Sequence, residues 1–127
     1  MQDYRARFDV RDAQGHPTLV AMAESELLGF GSFGEFRAWP CYSLTVEHSL
    51  HVAREHRSRG VGRRLLFALC DEVTRRGKHV MIGGIDADNA VSLHLHESVG
   101  FVRAGHLKEV GRKFGRWLDL VFMQKTF

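Results

Sequence analysis

The sequence has few cysteines and prolines and no long hydrophobic run. Its two cysteines, Cys41 and Cys70, are far apart and show no CxxC spacing, so neither a disulfide framework nor a zinc site is indicated. Two prolines provide no linker between domains. No apolar run approaches the ~20 residues of a membrane-spanning helix, and the N-terminus lacks the apolar core of a signal peptide. We therefore expect one cytoplasmic domain over residues 1–127, with no metal and no membrane partner.

A strong charge imbalance is also missing. The 18 lysines and arginines oppose 15 acidic residues, which gives a formal net charge of +3. No basic stripe with interleaved aromatic residues occurs, so we expect no nucleic acid partner. The arginine cluster in residues 53–66 nevertheless leaves a nucleic-acid module as an alternative, and such a module would bind DNA or RNA with strong salt dependence.

Hydrophobic periodicity predicts a helix, three strands, a helix, a strand, a helix and two strands, in that order. The first helix would lie in YRARFDVRDAQG, residues 4–15. The segment CYSLTVEHSLHV, residues 41–52, alternates apolar and polar side chains and predicts a strand with Glu47 on its polar face. Apolar residues recur at helical spacing over residues 61–76. Asn89 is the predicted cap of a short third helix, which precedes a final hairpin.

Two glycines stand where the strand ending at Val52 gives way to the helix. A helix start exposes unpaired N–H groups and the positive end of the helix dipole, and glycine lets a phosphate approach the backbone. Gly60 and Gly62 have this context. The same spacing at Gly29 and Gly31 lies inside a strand pattern, so context and not spacing favours phosphate binding at the first pair. An ordinary junction of loop and helix is the alternative.

Four segments, in chain order, carry a family resemblance: TVEHSLHV, RSRGVG, GIDADNAVSLHLHESVGF and VGRKFGRWLDLVFMQ. The second resembles the [QR]xxGx[GA] pyrophosphate loop of the GCN5-related N-acetyltransferase (GNAT) superfamily. The others resemble its phosphinothricin (methionine sulfoximine) N-acetyltransferase branch, from about His16 to the end. The resemblance implies an α/β fold with a central mixed sheet flanked by helices. It also implies transfer of an acetyl group from acetyl-CoA to the α-amino group of a small amino-acid-like substrate.

The resemblance places acetyl-CoA, as co-substrate, along the strand end and the start of the following helix. It implies main-chain contacts from Leu50, His51 and Val52, and a contact from Asn89 to the pantetheine arm. The pyrophosphate would lie against the loop residues, which are Arg57, Ser58, Arg59, Gly60, Val61, Gly62 and Arg63.

Two catalytic residues are also implied by the resemblance. Glu47 matches the family's glutamate, which acts as general base directly or through water; a solvent-facing strand carboxylate is the alternative. An α-amino group with a pKa near ~8 is roughly a tenth neutral at pH 7, so the placement of the base matters more than its strength. His96 occupies the place where many members carry a tyrosine that serves the departing thiolate. A histidine on the helix surface is the alternative.

Four side chains are candidates for holding the acceptor. Arg37 and Tyr42 fall in the loop before the catalytic strand, and an arginine offers a bidentate fork for a carboxylate. Tyr42 also falls on the apolar side of the predicted strand, so core packing is its alternative. Lys113 and Trp117 flank the turn of the last hairpin, near the substrate end or a dimer contact by resemblance.

The chain departs from the family pattern at its start. The family begins with a strand and a helix that this chain lacks, and residues 1–21 resemble the end of the family's second helix running into its second strand. We therefore expect an unpaired sheet edge at residues 18–23, an opened acceptor site, and a homodimer that helps to cover the edge. An acetyl-CoA-binding domain with little or no catalysis is the alternative function.

Overall fold

A computed structural model describes residues 7–13, 16–57 and 60–127. Besides short 3₁₀ helices at Pro40–Tyr42 and Arg54–His56, it contains seven strands and two α-helices in this described part. In chain order they are β1 (Arg7–Ala13), β2 (His16–Ala23), β3 (Glu26–Glu35), β4 (Thr45–Val52), α1 (Val61–Arg75), β5 (Val80–Asp86), α2 (Ala90–Ser98), β6 (Val102–Lys113) and β7 (Arg116–Thr126).

The seven strands form one sheet in the order β1-β2-β3-β4-β5-β7-β6. Every neighbouring pair is antiparallel except β4 and β5, which run parallel. The mixed sheet and its two helices confirm the expected fold class. Neither helix in the described ranges is long and apolar enough to cross a membrane.

The helix predicted over residues 4–15 is wrong, because Arg7–Ala13 forms a strand. The segment carries two spacings. Phe8 and Val10 lie two positions apart, which suits a strand, whereas Tyr4 and Phe8 lie four positions apart, which suits a helix. The first six residues and residues 14 and 15 lie outside the described part. The expected unpaired edge is also wrong, since residues 18–22 pair with β1 on one side and residues 18–23 pair with β3 on the other.

Helix α1 packs its apolar stripe on one face of the sheet, as its periodicity predicts. Its buried apolar residues are Val61, Leu65, Leu66, Leu69, Cys70 and Val73. Full burial of each large aliphatic side chain contributes about 1.5–3 kcal/mol. The helix can approach the sheet because β3 carries glycine beneath it. A Cβ at Gly29 would lie 3.1 Å from Cδ1 of Leu65 on the helix and 2.6 Å from the carbonyl oxygen of His51 on the neighbouring strand, and one at Gly31 would lie 2.9 Å from Cδ1 of Leu69 on the helix. The glycine pair in β3 therefore serves packing.

Candidate active site

The sheet opens between β4 and β5. These two parallel strands pair only from Thr45 opposite Val80 to His48 opposite Gly83. Beyond that point β4 continues to Val52 beside β3 alone, while β5 continues beside β7. The backbone groups of β4 that face the opening therefore meet no strand among the described residues. Leu50, His51 and Val52, the predicted main-chain contacts, lie on this stretch of β4.

The N-terminus of α1 lies at the outer end of the opening. Gly62 packs there, since a Cβ on it would lie 3.4 Å from side-chain atoms of both Val52 and Leu95. Gly60, the N-cap residue, has a left-handed φ of 79°, and a Cβ on it would meet nothing within 4 Å. Gly60 has no side chain that could cap the helix, and the N–H groups in the first turn of a helix can bind an anion.

Most of the described residues of the predicted pyrophosphate loop lie at this helix start. The Arg57 Nε donates to the carbonyl oxygen of Val52 at 3.3 Å, which holds that side chain at the opening. Val61 is 3% exposed and offers only its main chain. Arg63 is different, because its guanidinium carbon lies 5.2 Å from the ring centroid of Phe67, one turn along the helix. This cation–π contact directs Arg63 away from the helix start. Ser58 and Arg59 lie outside the described residues.

Asn89 caps α2, as predicted. Its Oδ1 accepts a hydrogen bond from the backbone N–H of Ser92 at 3.1 Å. The capping bond holds the side chain at the start of α2, where its NH₂ group and the second lone pair of its oxygen could both contact a pantetheine arm.

Glu47 lies on β4 one residue before the strands part. It faces the side of the sheet opposite to its buried neighbours Val46 and His48, and its carboxylate is partly exposed. A Cβ at Gly84 would lie 3.5 Å from Oε2 of Glu47 and 3.7 Å from the ring of Phe122. The carboxylate thus lies at the inner end of the opening, beside an apolar wall formed by Leu120 and Phe122. In that place it can accept a proton from a group bound against the wall.

His96 is buried and bonded through both ring nitrogens. Its Nδ1 lies 2.7 Å from the carbonyl oxygen of Ser92, and its Nε2 lies 3.1 Å from Nε2 of His48. A carbonyl oxygen only accepts, so Nδ1 of His96 carries the proton and its Nε2 accepts from His48. With 2% of its surface exposed, His96 is not the surface histidine of our alternative. It also has no second proton to offer a thiolate while it is neutral.

Burial keeps the histidine pair neutral. Burial and the neighbouring His96 lower the pKa of His48 from 6.5 to about 4. Burial also lowers the pKa of His96, against the opposing effect of its bond to Ser92. His48 is not among the predicted site residues, although the alternation of β4 places it on the same face as Val46 and Leu50. A histidine among the inward-facing apolar residues of this strand is the sequence signal that could have identified it.

The loop between β3 and β4 brings Arg37 and Tyr42 together. The guanidinium carbon of Arg37 lies 5.6 Å from the centroid of the Tyr42 ring. Tyr42 is not a strand residue packed in the core, as its alternative required, but is 42% exposed in a 3₁₀ helix that Pro40 begins. The loop reaches the wall beside Glu47, since Phe36 meets Phe122 edge to face at 6.5 Å.

Lys113 and Trp117 lie at the far end of the last hairpin. Trp117 is 57% exposed beneath the guanidinium of Arg112, with 4.5 Å from Cζ to the ring centroid. Glu47 lies opposite Ile82 of β5, and Ile82 lies opposite Gln124 of β7. From Gln124 to Trp117 the strand runs for seven residue steps, which is about 23 Å. The structure does not bring these two side chains to Glu47 within one chain.

Comparison with known proteins decides the family. The family model described as Acetyltransferase (GNAT) family matches residues 1–101, which include β4, the loop and α2. The chain belongs to the GNAT acetyltransferase family. The resemblance inferred from the four segments is thereby confirmed.

Relatives of this GNAT acetyltransferase include two curated proteins. L-amino acid N-acyltransferase MnaT of Escherichia coli is 48% identical over 94% of this chain and 69% of its own. The L-methionine sulfoximine/L-methionine sulfone acetyltransferase of Salmonella typhimurium is 46% identical over 94% of this chain and 70% of its own. A solved phosphinothricin acetyltransferase of Sinorhizobium meliloti in complex with AcCoA superposes with a TM-score of 0.85 at 36% identity, covering 89% of this chain and 62% of its own.

Proposed function

We propose that this chain transfers the acetyl group of acetyl-CoA to the α-amino group of a small amino-acid-like acceptor, with methionine sulfoximine, methionine sulfone and phosphinothricin as the acceptor class. One observation carries the proposal: the opening between β4 and β5 has an uncapped helix start at one end and the Glu47 carboxylate at the other. The five residue steps from Glu47 to Val52 span about 17 Å. That separation suits a ligand with an anionic group and a reactive group joined by an extended arm.

Acetyl-CoA fits this arrangement group by group. Its pyrophosphate would meet the open N–H groups of α1 beside Gly60, with Arg57 adding a cation at the mouth. Its pantetheine arm carries amides, which pair with the backbone of residues 50–52 as a further strand would. The Asn89 amide stands at the start of α2 for the same arm. Ser58 and Arg59 remain sequence predictions for the pyrophosphate.

Glu47 is the proposed general base. The neutral amine attacks the thioester carbonyl carbon, the new C–N bond forms, and Glu47 accepts the proton that the nitrogen must lose. The C–S bond then breaks and coenzyme A departs as a thiolate. A thiol pKa near ~8.5 means that this thiolate can take its proton from water at neutral pH. The neutral state and existing partners of His96 argue that it is not the donor, and we assign it a structural place beside the reaction.

Arg37 and Tyr42 are the proposed acceptor contacts. The loop that holds them touches the apolar wall beside Glu47 through Phe36. The guanidinium of Arg37 offers two parallel N–H donors for the carboxylate of an amino acid, which would leave its α-amino group free to turn toward Glu47.

A homodimer is also proposed, with the last hairpin as its contact. The hairpin exposes five large apolar side chains, Val102, Leu107, Val110, Phe114 and Trp117, and Phe114 is 90% exposed. A second copy that covers them would bring Lys113 and Trp117 to a subunit boundary. Both cysteines are free, which suits the cytoplasm. Light scattering of Phe114→Ser beside the unsubstituted chain tests the contact. If the variant keeps the dimer mass of the unsubstituted chain, this hairpin is not the dimer contact.

A matched pair of glycine variants tests the placement of acetyl-CoA. Gly60 and Gly77 both have a left-handed φ, 79° and 70°, and a Cβ on either would meet nothing within 4 Å. Alanine at either position should therefore cost a similar ~1 kcal/mol of stability. Only Gly60 lies at the proposed pyrophosphate site, so Gly60→Ala should weaken acetyl-CoA binding measured by calorimetry and Gly77→Ala should not. Equal affinities for the two variants would contradict the placement.

Thiol release with the three acceptors tests catalysis. We expect coenzyme A to be released in step with N-acetyl product. Stabilisation by acetyl-CoA in a thermal-shift assay, without thiol release, would support the binding domain with little or no catalysis instead.

A further inference from the structure

The sheet parts at a position occupied by two histidine rings. His48 is the last residue of β4 paired with β5, and its partner is Gly83. A Cβ at Gly83 would lie 2.9 Å from Cε1 and 3.0 Å from Nε2 of His48, and 3.5 Å from Nε2 of His96. No side chain larger than glycine therefore fits at this position of β5 while both rings keep their places.

The two rings connect β4 to α2. They stack at a centroid distance of 5.0 Å with an interplanar angle of 24°, and Phe101 meets both edge-on at 5.7 and 5.2 Å. The Nε2–Nε2 hydrogen bond of 3.1 Å joins them directly. Helix α2 in turn places Leu95 against Gly62 at the start of α1. The pair thus links the inner end of the opening to the helix that borders its outer end.

The hydrogen bonds of the pair have a single polarity. The bond from His96 Nδ1 to the carbonyl oxygen of Ser92 fixes the tautomer of His96, which in turn requires His48 to donate through Nε2. The remaining nitrogen, Nδ1 of His48, is buried and has no hydrogen-bond partner among the described residues. A buried nitrogen without a partner costs stability, so an apolar side chain of similar size would serve packing alone better. The hydrogen bond that His48 donates to the buried His96 therefore accounts for a histidine here.

We propose that His48 is a positioning residue for acetyl-CoA: its hydrogen bond to His96 sets the separation of β4 and α2, and thereby aligns the thioester with Glu47. Glu47 is the adjacent residue of the same strand, so a shift of His48 moves the base as well. The inference rests on the proposed function, because it assumes that acetyl-CoA lies in the opening between β4 and β5.

Three variants test the proposal through their steady-state kinetics. His48→Leu keeps the approximate volume and removes the donor, whereas His48→Gln places an amide NH₂ near the position of Nε2 and keeps it. We expect His48→Leu to raise KM for acetyl-CoA about tenfold or more and to lower kcat, since small misplacements of reacting groups are costly. KM for the acceptor should stay near that of the unsubstituted chain, and His48→Gln should restore most of the loss. Gly83→Ala, which displaces both rings, should reproduce the defect of His48→Leu.

Val73→Ala is the stability control. Val73 is fully buried in the last turns of α1, so its truncation lowers the unfolding midpoint without touching the histidine pair. It should leave both KM values unchanged. If His48→Leu lowers only the unfolding midpoint, as Val73→Ala does, the positioning role is overturned while the proposed function stands. If the unsubstituted chain neither binds acetyl-CoA nor releases thiol, the proposed function fails, and this inference fails with it.

Discussion

Acidification from pH 6.5 toward pH 4 should weaken the fold through His48. The pKa of His48 is about 4 in the folded chain because of burial and the neighbouring His96, whereas an imidazole in the unfolded chain has a pKa near ~6.5. Between these values the unfolded chain binds a proton that the folded chain does not bind. The free energy of unfolding therefore falls as the pH falls from about 6.5 toward 4. Above about pH 6.5 His48 is neutral in both states and no longer makes the free energy of unfolding depend on pH.

The size of the effect follows from the two pKa values. One pKa unit corresponds to 1.36 kcal/mol, so neutral burial of His48 costs about 3 kcal/mol of stability at pH 4 and about 2 kcal/mol at pH 5, relative to pH 7.5. His96, whose pKa burial also lowers, adds a loss of the same sign. Against a typical total of about 5–15 kcal/mol, the loss is large enough to measure.

Urea unfolding at pH 7.5, 6 and 5 checks this prediction. His48→Gln is the matched variant, because it keeps a hydrogen-bond donor for His96 and removes the titrating ring. Glu72 does not interfere in this range: burial raises its pKa, but the hydrogen bonds from Arg75 and Arg76 outweigh burial and hold the pKa below its ordinary 4.5. The unsubstituted chain should lose about 2 kcal/mol more than His48→Gln between pH 7.5 and pH 5. Parallel losses in the two chains would refute the neutral burial of His48.

Two further predictions concern a glycine in β3 and the cap of α2. Gly29→Ala should lower the free energy of unfolding by about 1–3 kcal/mol, because its Cβ would lie 2.6 Å from a backbone oxygen. Gly105→Ala, whose Cβ would find no atom closer than 3.9 Å, should cost less, and equal losses in urea titrations would contradict the packing role of Gly29. Asn89→Ala should lose the cap of α2 and about 1 kcal/mol of stability, while Asn89→Ser keeps a capping oxygen and most of the stability. An equal loss for both Asn89 variants in thermal unfolding would place the contribution of Asn89 elsewhere than in the cap.

Local sequence signals predicted the elements that depend on local interactions. Helix α1 runs over Val61–Arg75 because its buried residues recur every three or four positions, and Asn89 caps α2 through a bond three residues away. The N-terminal segment carries both spacings, and its pairing with β2 decides in favour of a strand. That pairing is not visible in the segment itself.

The candidate site was predictable where it follows a motif and not where it depends on register. The glycines at the start of α1 and Glu47 on β4 lie at opposite ends of one opening, as the motif order implied. The distance of Trp117 from Glu47 follows from two strand pairings, and the change of Tyr42 from strand to 3₁₀ helix follows from Pro40. The partner of His96 lies 48 positions earlier in the chain, so only the folded sheet reveals that neither ring nitrogen is free.

Product formation by Glu47→Gln is the most direct test of the central claim. The unsubstituted chain, given acetyl-CoA and methionine sulfoximine, should yield N-acetyl product detectable by mass spectrometry together with stoichiometric thiol. Glu47→Gln keeps the shape of the side chain and loses the base, so kcat should fall by about 10²–10⁴, while acetyl-CoA affinity by calorimetry stays unchanged. A Glu47→Gln variant that turns over at the rate of the unsubstituted chain would contradict the assignment of Glu47 as the base.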